Sequence, residues 1–125
     1  MKTIIFLCGL YNVLFALFHF GFWKLFEWDK DLKTLSFANR GIIQILNIQI
    51  SYYFIFTAII CFVFPTELLT TKFGNWFLIG TSVFWLIRTM QQFIFLRAND
   101  FKIHILTFVF LIGTLLFLLP ALKTI

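Results

Sequence analysis

Four long apolar runs are the feature that most constrains this chain. They cover residues 3–26, 42–64, 76–96 and 103–122. Each has about the 20 residues that a helix needs to cross the hydrocarbon core of a bilayer. Backbone N–H and C=O groups in lipid must be paired within the segment, so each run is predicted to be helical. Since the connections are short, neighbouring helices should be antiparallel. The sequence therefore predicts an all-α membrane protein, an antiparallel four-transmembrane-helix bundle that forms one domain over residues 1–125.

The composition supports lipid as the main solvent of this chain. Of its 125 residues, 62% are hydrophobic and only 12% are charged, whereas soluble domains carry about 25% charged residues. The net charge of +5 comes from Lys and Arg scattered over helix ends and loops, without a basic run. This pattern favours contacts with membrane lipids and predicts no binding of nucleic acid.

The distribution of Lys and Arg predicts how the helices are oriented, because cytoplasmic loops carry the excess of positive charge. One face of the predicted bundle has six such residues, namely Lys24, Lys30, Lys33, Arg40, Arg97 and Lys102. The other face, which holds both termini, has three, namely Lys2, Lys72 and Lys123. We therefore expect a multi-pass protein of a bacterial inner (plasma) membrane with both termini outside the cytoplasm. The first run is longer than a signal peptide requires and lacks a small-residue cleavage site, so it is expected to be retained.

The connections between the runs contain recognisable start and stop signals. Pro65 is expected to end the second helix and to open a loop over residues 65–75. Leu32 and Leu35 between charged residues suggest a short interfacial helix. Ser36 or Asn39 is predicted to cap the second helix, and Asn99 or Asp100 the fourth.

Polar side chains recur at helical spacing, which puts them on one face of each run. The three faces that carry the prediction are Asn12 and His19 in the first helix, Arg40, Gln44 and Asn47 in the second, and Trp85, Arg88 and Gln92 in the third with Gln91 beside them. A weaker line, His104, Thr107 and Thr114, follows the fourth helix. At about 1.5 Å per residue, His19, Asn47 and Arg88 fall within roughly two turns of one another in depth. The sequence thus predicts a polar cavity in the cytoplasmic half of the bundle, centred on Arg88.

Arg88 is the most informative residue of the chain, because a charge in the middle of a membrane costs about 3 kcal/mol or more. No Asp or Glu lies within the four runs, so the guanidinium must meet amides, carbonyls, water or an external anion. The functional interpretation is a ligand-binding site made of Arg88, Gln92, Gln91, His19, Asn47, Gln44, Trp85, Asn12 and Arg40. The alternative is a structural Arg whose polar neighbours only fix helix packing, as membrane amides often do.

Catalytic and metal chemistry find little support. Cys8 and Cys61 form no CxxC pair, and two Cys with two His do not give a metal set at ligand spacing. Ser51 and Ser82 have no His–carboxylate pair near them, so we predict no catalytic residue, no cofactor and no metal, and an enzyme is disfavoured.

Three segments together resemble an uncharacterised family of small four-helix bacterial integral membrane proteins. They are His19-Phe-Gly-Phe-Trp23, then Leu35-Ser-x-x-Asn39-Arg40 with Leu46-Asn47, and Phe84-Trp85-x-x-Arg88-x-x-x-Gln92. The resemblance covers nearly the whole chain and implies a four-helix membrane fold, but no activity.

Two functions remain open from the sequence. In the first, the protein binds, and in one version transports, an anionic or polar small molecule or a lipid headgroup at Arg88; transport by so short a chain would call for a homo-oligomer. In the second, it is an accessory membrane subunit whose polar layer only fixes helix register.

Overall fold

A computed structural model describes residues 1–123, whose regular structure is helical without a strand. The helices are α1 (Lys2–Phe20), α2 (Phe22–Leu25), α3 (Trp28–Asp31), a 3-10 turn (Leu32–Thr34), α4 (Phe37–Val63), α5 (Pro65–Thr70), α6 (Lys72–Phe95) and α7 (Phe101–Lys123).

Three helices in the described part of the chain are long and apolar enough to cross a membrane: Lys2–Phe20, Phe37–Val63 and Phe101–Leu122. They coincide with three of the four predicted runs, which confirms a helical protein with the character of a multi-pass membrane protein. Helix α6 has 24 residues and is long enough to span, but its polar residues make it less apolar than the other three. Large apolar side chains on the long helices are widely exposed, as lipid contact requires; Leu14, Ile48 and Phe108 are each about two-thirds exposed.

The chain separates into two compact units. The N-terminal unit consists of Gly9–Ile60, and the C-terminal unit combines Met1–Cys8 with the chain from Cys61 onward. The start of α1 and the last residues of α4 belong to the C-terminal unit, so neither unit is a simple half of the sequence.

Helices α6 and α7 pair antiparallel in the C-terminal unit. Gln92 bonds to Ile103 and Thr107 near one end of the pair, and Ser82 bonds to the Thr114 carbonyl further along. The buried face of α6 advances in steps of three and four residues, through Leu78, Ser82, Trp85, Thr89 and Gln92. This spacing keeps one stripe of a helix against its neighbour, as in coiled-coil packing.

Two predicted helix caps are confirmed by their hydrogen bonds. The Ser36 hydroxyl accepts the Asn39 N–H at 3.3 Å, so Ser36 caps α4. An Asp100 carboxylate oxygen accepts the Lys102 N–H at 2.9 Å at the start of α7. Both bonds satisfy N–H groups that a helix start leaves without an internal partner.

Two predicted boundaries are wrong. The first run does not form one helix over residues 3–26, because α1 ends before Gly21 and Glu27 then adopts a left-handed conformation with φ of 52°. Residues 65–75 are not a loop either. Pro65 ends α4 as expected but begins α5, where a proline costs no hydrogen bond. Thr71 then caps α6, and a Cβ at Gly74 would overlap the backbone of Leu68, which explains the glycine there.

The Cys8 thiol connects α1 to α7 through a hydrogen bond. Its Sγ donates to the Leu116 carbonyl at 3.2 Å, and Cys8 is fully buried. In a regular helix that carbonyl would accept the N–H of residue 120, but Pro120 has no N–H. The thiol therefore supplies a donor in place of the N–H that Pro120 lacks.

Removal of the Cys8 thiol should destabilise the protein, and the size of the effect should depend on the presence of Pro120. We expect Cys8→Ala to lower the free energy of unfolding by about 1 kcal/mol, because the Leu116 carbonyl loses its added partner. Cys8→Ser should retain stability, since a hydroxyl donates to the same oxygen. The measurement is thermal unfolding of purified protein in detergent.

The matched test is a double-mutant cycle with Pro120→Ala, which restores a backbone N–H at position 120. In that background Cys8→Ala should cost clearly less than in the wild type. Equal costs in the two backgrounds would show that the thiol does not compensate for the proline.

Candidate functional site

The Arg88 guanidinium lies against an aromatic ring of the neighbouring helix. Arg88 is half-buried, and its Cζ is 4.5 Å from the centroid of the Phe110 ring. Trp85, which is only 1% exposed, stacks on the same ring with centroids 5.9 Å apart and planes 20° from parallel. The negative face of an aromatic ring attracts a cation, more strongly where water is scarce.

Phe110 is a site residue that the sequence analysis missed, although a signal for it exists. It lies three residues after Thr107 and four before Thr114, on the polar line predicted for the fourth helix. In the structure, Arg88 forms its cation–π contact with Phe110 on α7, and Trp85 packs on the same ring.

Gln92 lies one turn after Arg88 and is 2% exposed. Its Nε2 donates to the Ile103 carbonyl and to the Thr107 hydroxyl oxygen, each at 3.3 Å. The Thr107 hydroxyl gives its own hydrogen to the Ile103 carbonyl, 2.9 Å away. A reversed amide would set an oxygen against two acceptors, so this orientation of the amide is fixed. The Gln92 Oε1 is buried without a hydrogen-bond partner.

A cavity of about 270 Å³ lies beside Gln92, where α6, the connecting turn and α7 meet. We call it the hairpin pocket. Its polar lining residues are Gln92, Arg97, Asn99, His104 and Thr107. His104 and Asn99 hydrogen-bond to each other, with 3.0 Å between Nε2 and Oδ1. Arg97 and Asn99 were not part of the predicted site, because their position suggested only a turn between two helices. His104 was predicted on the weaker polar line of the fourth helix but was not among the predicted site residues.

Two other polar residues on α6, Thr81 and the predicted site residue Gln91, differ in exposure. Thr81 is buried, and its hydroxyl donates to the Phe77 carbonyl at 2.8 Å within the same helix. Gln91 is exposed and does not line the hairpin pocket. Of the predicted α6 residues, the structure thus brings Trp85, Arg88 and Gln92 to the α7 side.

Asn47 has a definite structural contact in the N-terminal unit. Its Nδ2 donates to the His19 carbonyl at 3.0 Å, near the end of α1. Carbonyls in the last turn of a helix have no internal partner, so Asn47 satisfies one of them. The Asn47 carbonyl in turn accepts the Ser51 hydroxyl at 2.7 Å. Asn47 therefore holds α1 to α4 where α1 is interrupted.

His19 lies in an aromatic cluster at the same end of α1. Its ring stacks on Phe22 with centroids 4.4 Å apart and lies 5.2 Å from the Phe54 ring. Its Nδ1 is 2.8 Å from the Phe15 carbonyl. Since a carbonyl only accepts, this nitrogen carries the hydrogen.

The remaining predicted site residues of the N-terminal unit make local contacts or are buried. Gln44 donates to the Arg40 carbonyl at 3.0 Å. Arg40 donates from Nη2 to the Leu35 carbonyl at 3.4 Å, which closes the turn before α4. Asn12 is 2% exposed on α1. The convergence of these residues on Arg88 stays a prediction from the sequence, because Arg88 belongs to the other unit.

Comparison with known proteins finds no matching family model, no matching curated protein and no matching solved structure. The interpretation of the site therefore rests on its own chemistry.

Replacement of Asn47 should weaken the N-terminal unit. We expect Asn47→Leu to lower the free energy of unfolding by about 1 kcal/mol, because the His19 carbonyl loses its donor in a setting without water. The check is the midpoint of thermal unfolding in detergent. Gln49→Leu is the matched control, since Gln49 is an exposed amide on the same helix and its loss should have little effect. A similar loss for both variants would contradict the role assigned to Asn47.

Proposed function

We propose that this protein is an integral membrane protein of four antiparallel spanning helices that binds an anionic or polar small molecule, or a lipid headgroup, at Arg88. The proposal includes α6 as the fourth span, the bacterial inner membrane as its location, and both termini outside the cytoplasm. It also includes membership of the small four-helix family that the sequence resembles. A homo-oligomer would be required if the ligand is transported.

The observation that carries this proposal is the environment of the Arg88 guanidinium. It is half-buried in a helix of spanning length and lies over Phe110, and no acid of the described residues forms an ion pair with it. An aromatic face attracts a cation but does not use its five N–H donors. A planar guanidinium with unused donors suits a carboxylate or phosphate, which it can bind through two parallel hydrogen bonds.

The alternative is a structural subunit, and one set of contacts favours it. Ser82 and Gln92 on α6 both donate to carbonyls of α7, so part of the polar face fixes the register of two helices. In that function, Arg88 would contribute only its contact with Phe110.

Substitution of Arg88 separates the two functions. The purified protein is tested with inorganic phosphate, sulfate and succinate as probes, and the measurement is the rise in unfolding temperature with probe concentration. We expect at least one probe to stabilise the wild type and Arg88→Gln to weaken its binding about tenfold or more, because a charge-assisted hydrogen bond is lost. Arg88→Lys should be intermediate, since it keeps the charge without the planar geometry.

Lys72→Gln is the control, because Lys72 is an exposed cation on the same helix. It should leave the response to the probes unchanged. If no probe stabilises the wild type, and Arg88→Gln lowers the unfolding temperature equally in every condition, the structural function is the better account.

A further inference from the structure

Gln92, which lines the hairpin pocket, carries a buried acceptor that the protein leaves without a hydrogen-bond partner. The Gln92 side chain is 2% exposed, and its Oε1 is buried with no hydrogen-bond partner. Its Nε2 donates to the Ile103 carbonyl and to the Thr107 hydroxyl oxygen of α7, whereas its oxygen accepts no hydrogen bond. An unsatisfied buried acceptor costs about 1–3 kcal/mol. A ligand that brings an O–H or N–H donor to this oxygen would therefore bind favourably.

The same pocket has a cation at its edge. Arg97 lines the pocket and is exposed, and no acid of the described residues pairs with it. The nearest acid along the chain, Asp100, uses a carboxylate oxygen to cap α7 through the Lys102 N–H. The exposed guanidinium is thus available to an anion, and phosphate suits its fork of donors.

The position and size of the pocket limit what can occupy it. It lies where α6 ends and α7 begins, at a turn flanked by Arg97 and Lys102, and charged residues of this kind mark the membrane–water interface. The apolar lining residues Phe93 and Leu96 are 63% and 44% exposed and extend toward the spanning part of α6. A volume of about 270 Å³ is smaller than most sites for drug-sized ligands.

We propose that the hairpin pocket binds a phosphoester whose headgroup carries a hydrogen-bond donor, with Arg97 on the phosphate and Gln92 Oε1 on the donor. Phosphatidylethanolamine and phosphatidylglycerol both have this chemistry, through an ammonium and through hydroxyls. The exposed Phe93 and Leu96 provide an apolar surface for the acyl chains of such a lipid. This site is separate from the one proposed at Arg88, which does not line the pocket.

The test is a lipid titration of the full-length protein in dodecyl maltoside, followed by thermal unfolding. The probes are phosphatidylethanolamine, phosphatidylglycerol, phosphatidylcholine and soluble glycerol 3-phosphate. We expect the first two to stabilise the protein at lower concentration than phosphatidylcholine, whose trimethylammonium has no N–H. Arg97→Gln should raise the concentration required by about tenfold or more. Lys102→Gln, which removes an exposed cation that does not line the pocket, should leave it unchanged.

Gln92→Met tests the acceptor directly, because it should remove the preference over phosphatidylcholine. If this variant does not fold, the wild-type preference and the Arg97→Gln result still decide the matter. Stabilisation by glycerol 3-phosphate at similar concentration would identify the ligand as a free phosphoester, and its absence would identify a lipid. Equal stabilisation by all three lipids, or an equal effect of Arg97→Gln and Lys102→Gln, would overturn the proposal. Failure of this proposal would appear as an equal effect of Arg97→Gln and Lys102→Gln on the lipid response, whereas failure of the one at Arg88 would appear in the titration with phosphate, sulfate and succinate, so the two can fail separately.

Discussion

The packing of α6 on α7 is the interaction on which the C-terminal unit depends. Helix α6 is the least apolar of the four long helices, and its buried polar side chains need hydrogen-bond partners within the protein. Ser82 and Gln92 therefore donate to α7, and Trp85 packs against Phe110 on the same face. One consequence is that Arg88, which follows this face, is held beside an aromatic ring. A second is that the Gln92 oxygen is left at the pocket where the two helices meet.

Two cations of the α6–α7 pair, Arg88 and Arg97, lie in different surroundings. Arg88 lies half-buried within α6, against the Phe110 ring. Arg97 lies just after α6, exposed beside a buried acceptor. Under the two proposals, a ligand at Arg88 would lose part of its hydration, whereas one at Arg97 would keep its charge at the interface and its apolar part in lipid. The first position would then suit a small anion or a headgroup, and the second a lipid phosphate.

Local chemistry explains which features were predictable from the sequence. Ser36 and Asp100 were predicted as caps because their side chains bond to nearby backbone N–H groups, which requires only local sequence. The burial of Trp85 and Gln92 on one face of α6 was predictable, because the two residues are seven apart and seven residues make about two helical turns. The contact between Arg88 and Phe110 was not predicted, because it depends on the register of two helices. The bond from Cys8 to the Leu116 carbonyl was also not predicted. It depends on the missing N–H of Pro120, which is more than a hundred residues from Cys8 in the sequence. The break at Gly21 was missed because the apolar run continues through it.

The central claim is that α6 crosses the membrane with Arg88 inside it, and the sidedness of its two ends tests this most directly. Phe73 and Phe95, at opposite ends of α6, are 80% and 76% exposed, so Phe73→Cys and Phe95→Cys provide matched labelling positions. Each is made in a Cys8→Ser, Cys61→Ala background, and a membrane-impermeant maleimide is applied to intact cells and to inverted vesicles. The account predicts labelling of position 73 in intact cells only and of position 95 in inverted vesicles only. Labelling of both positions from the same side would contradict it.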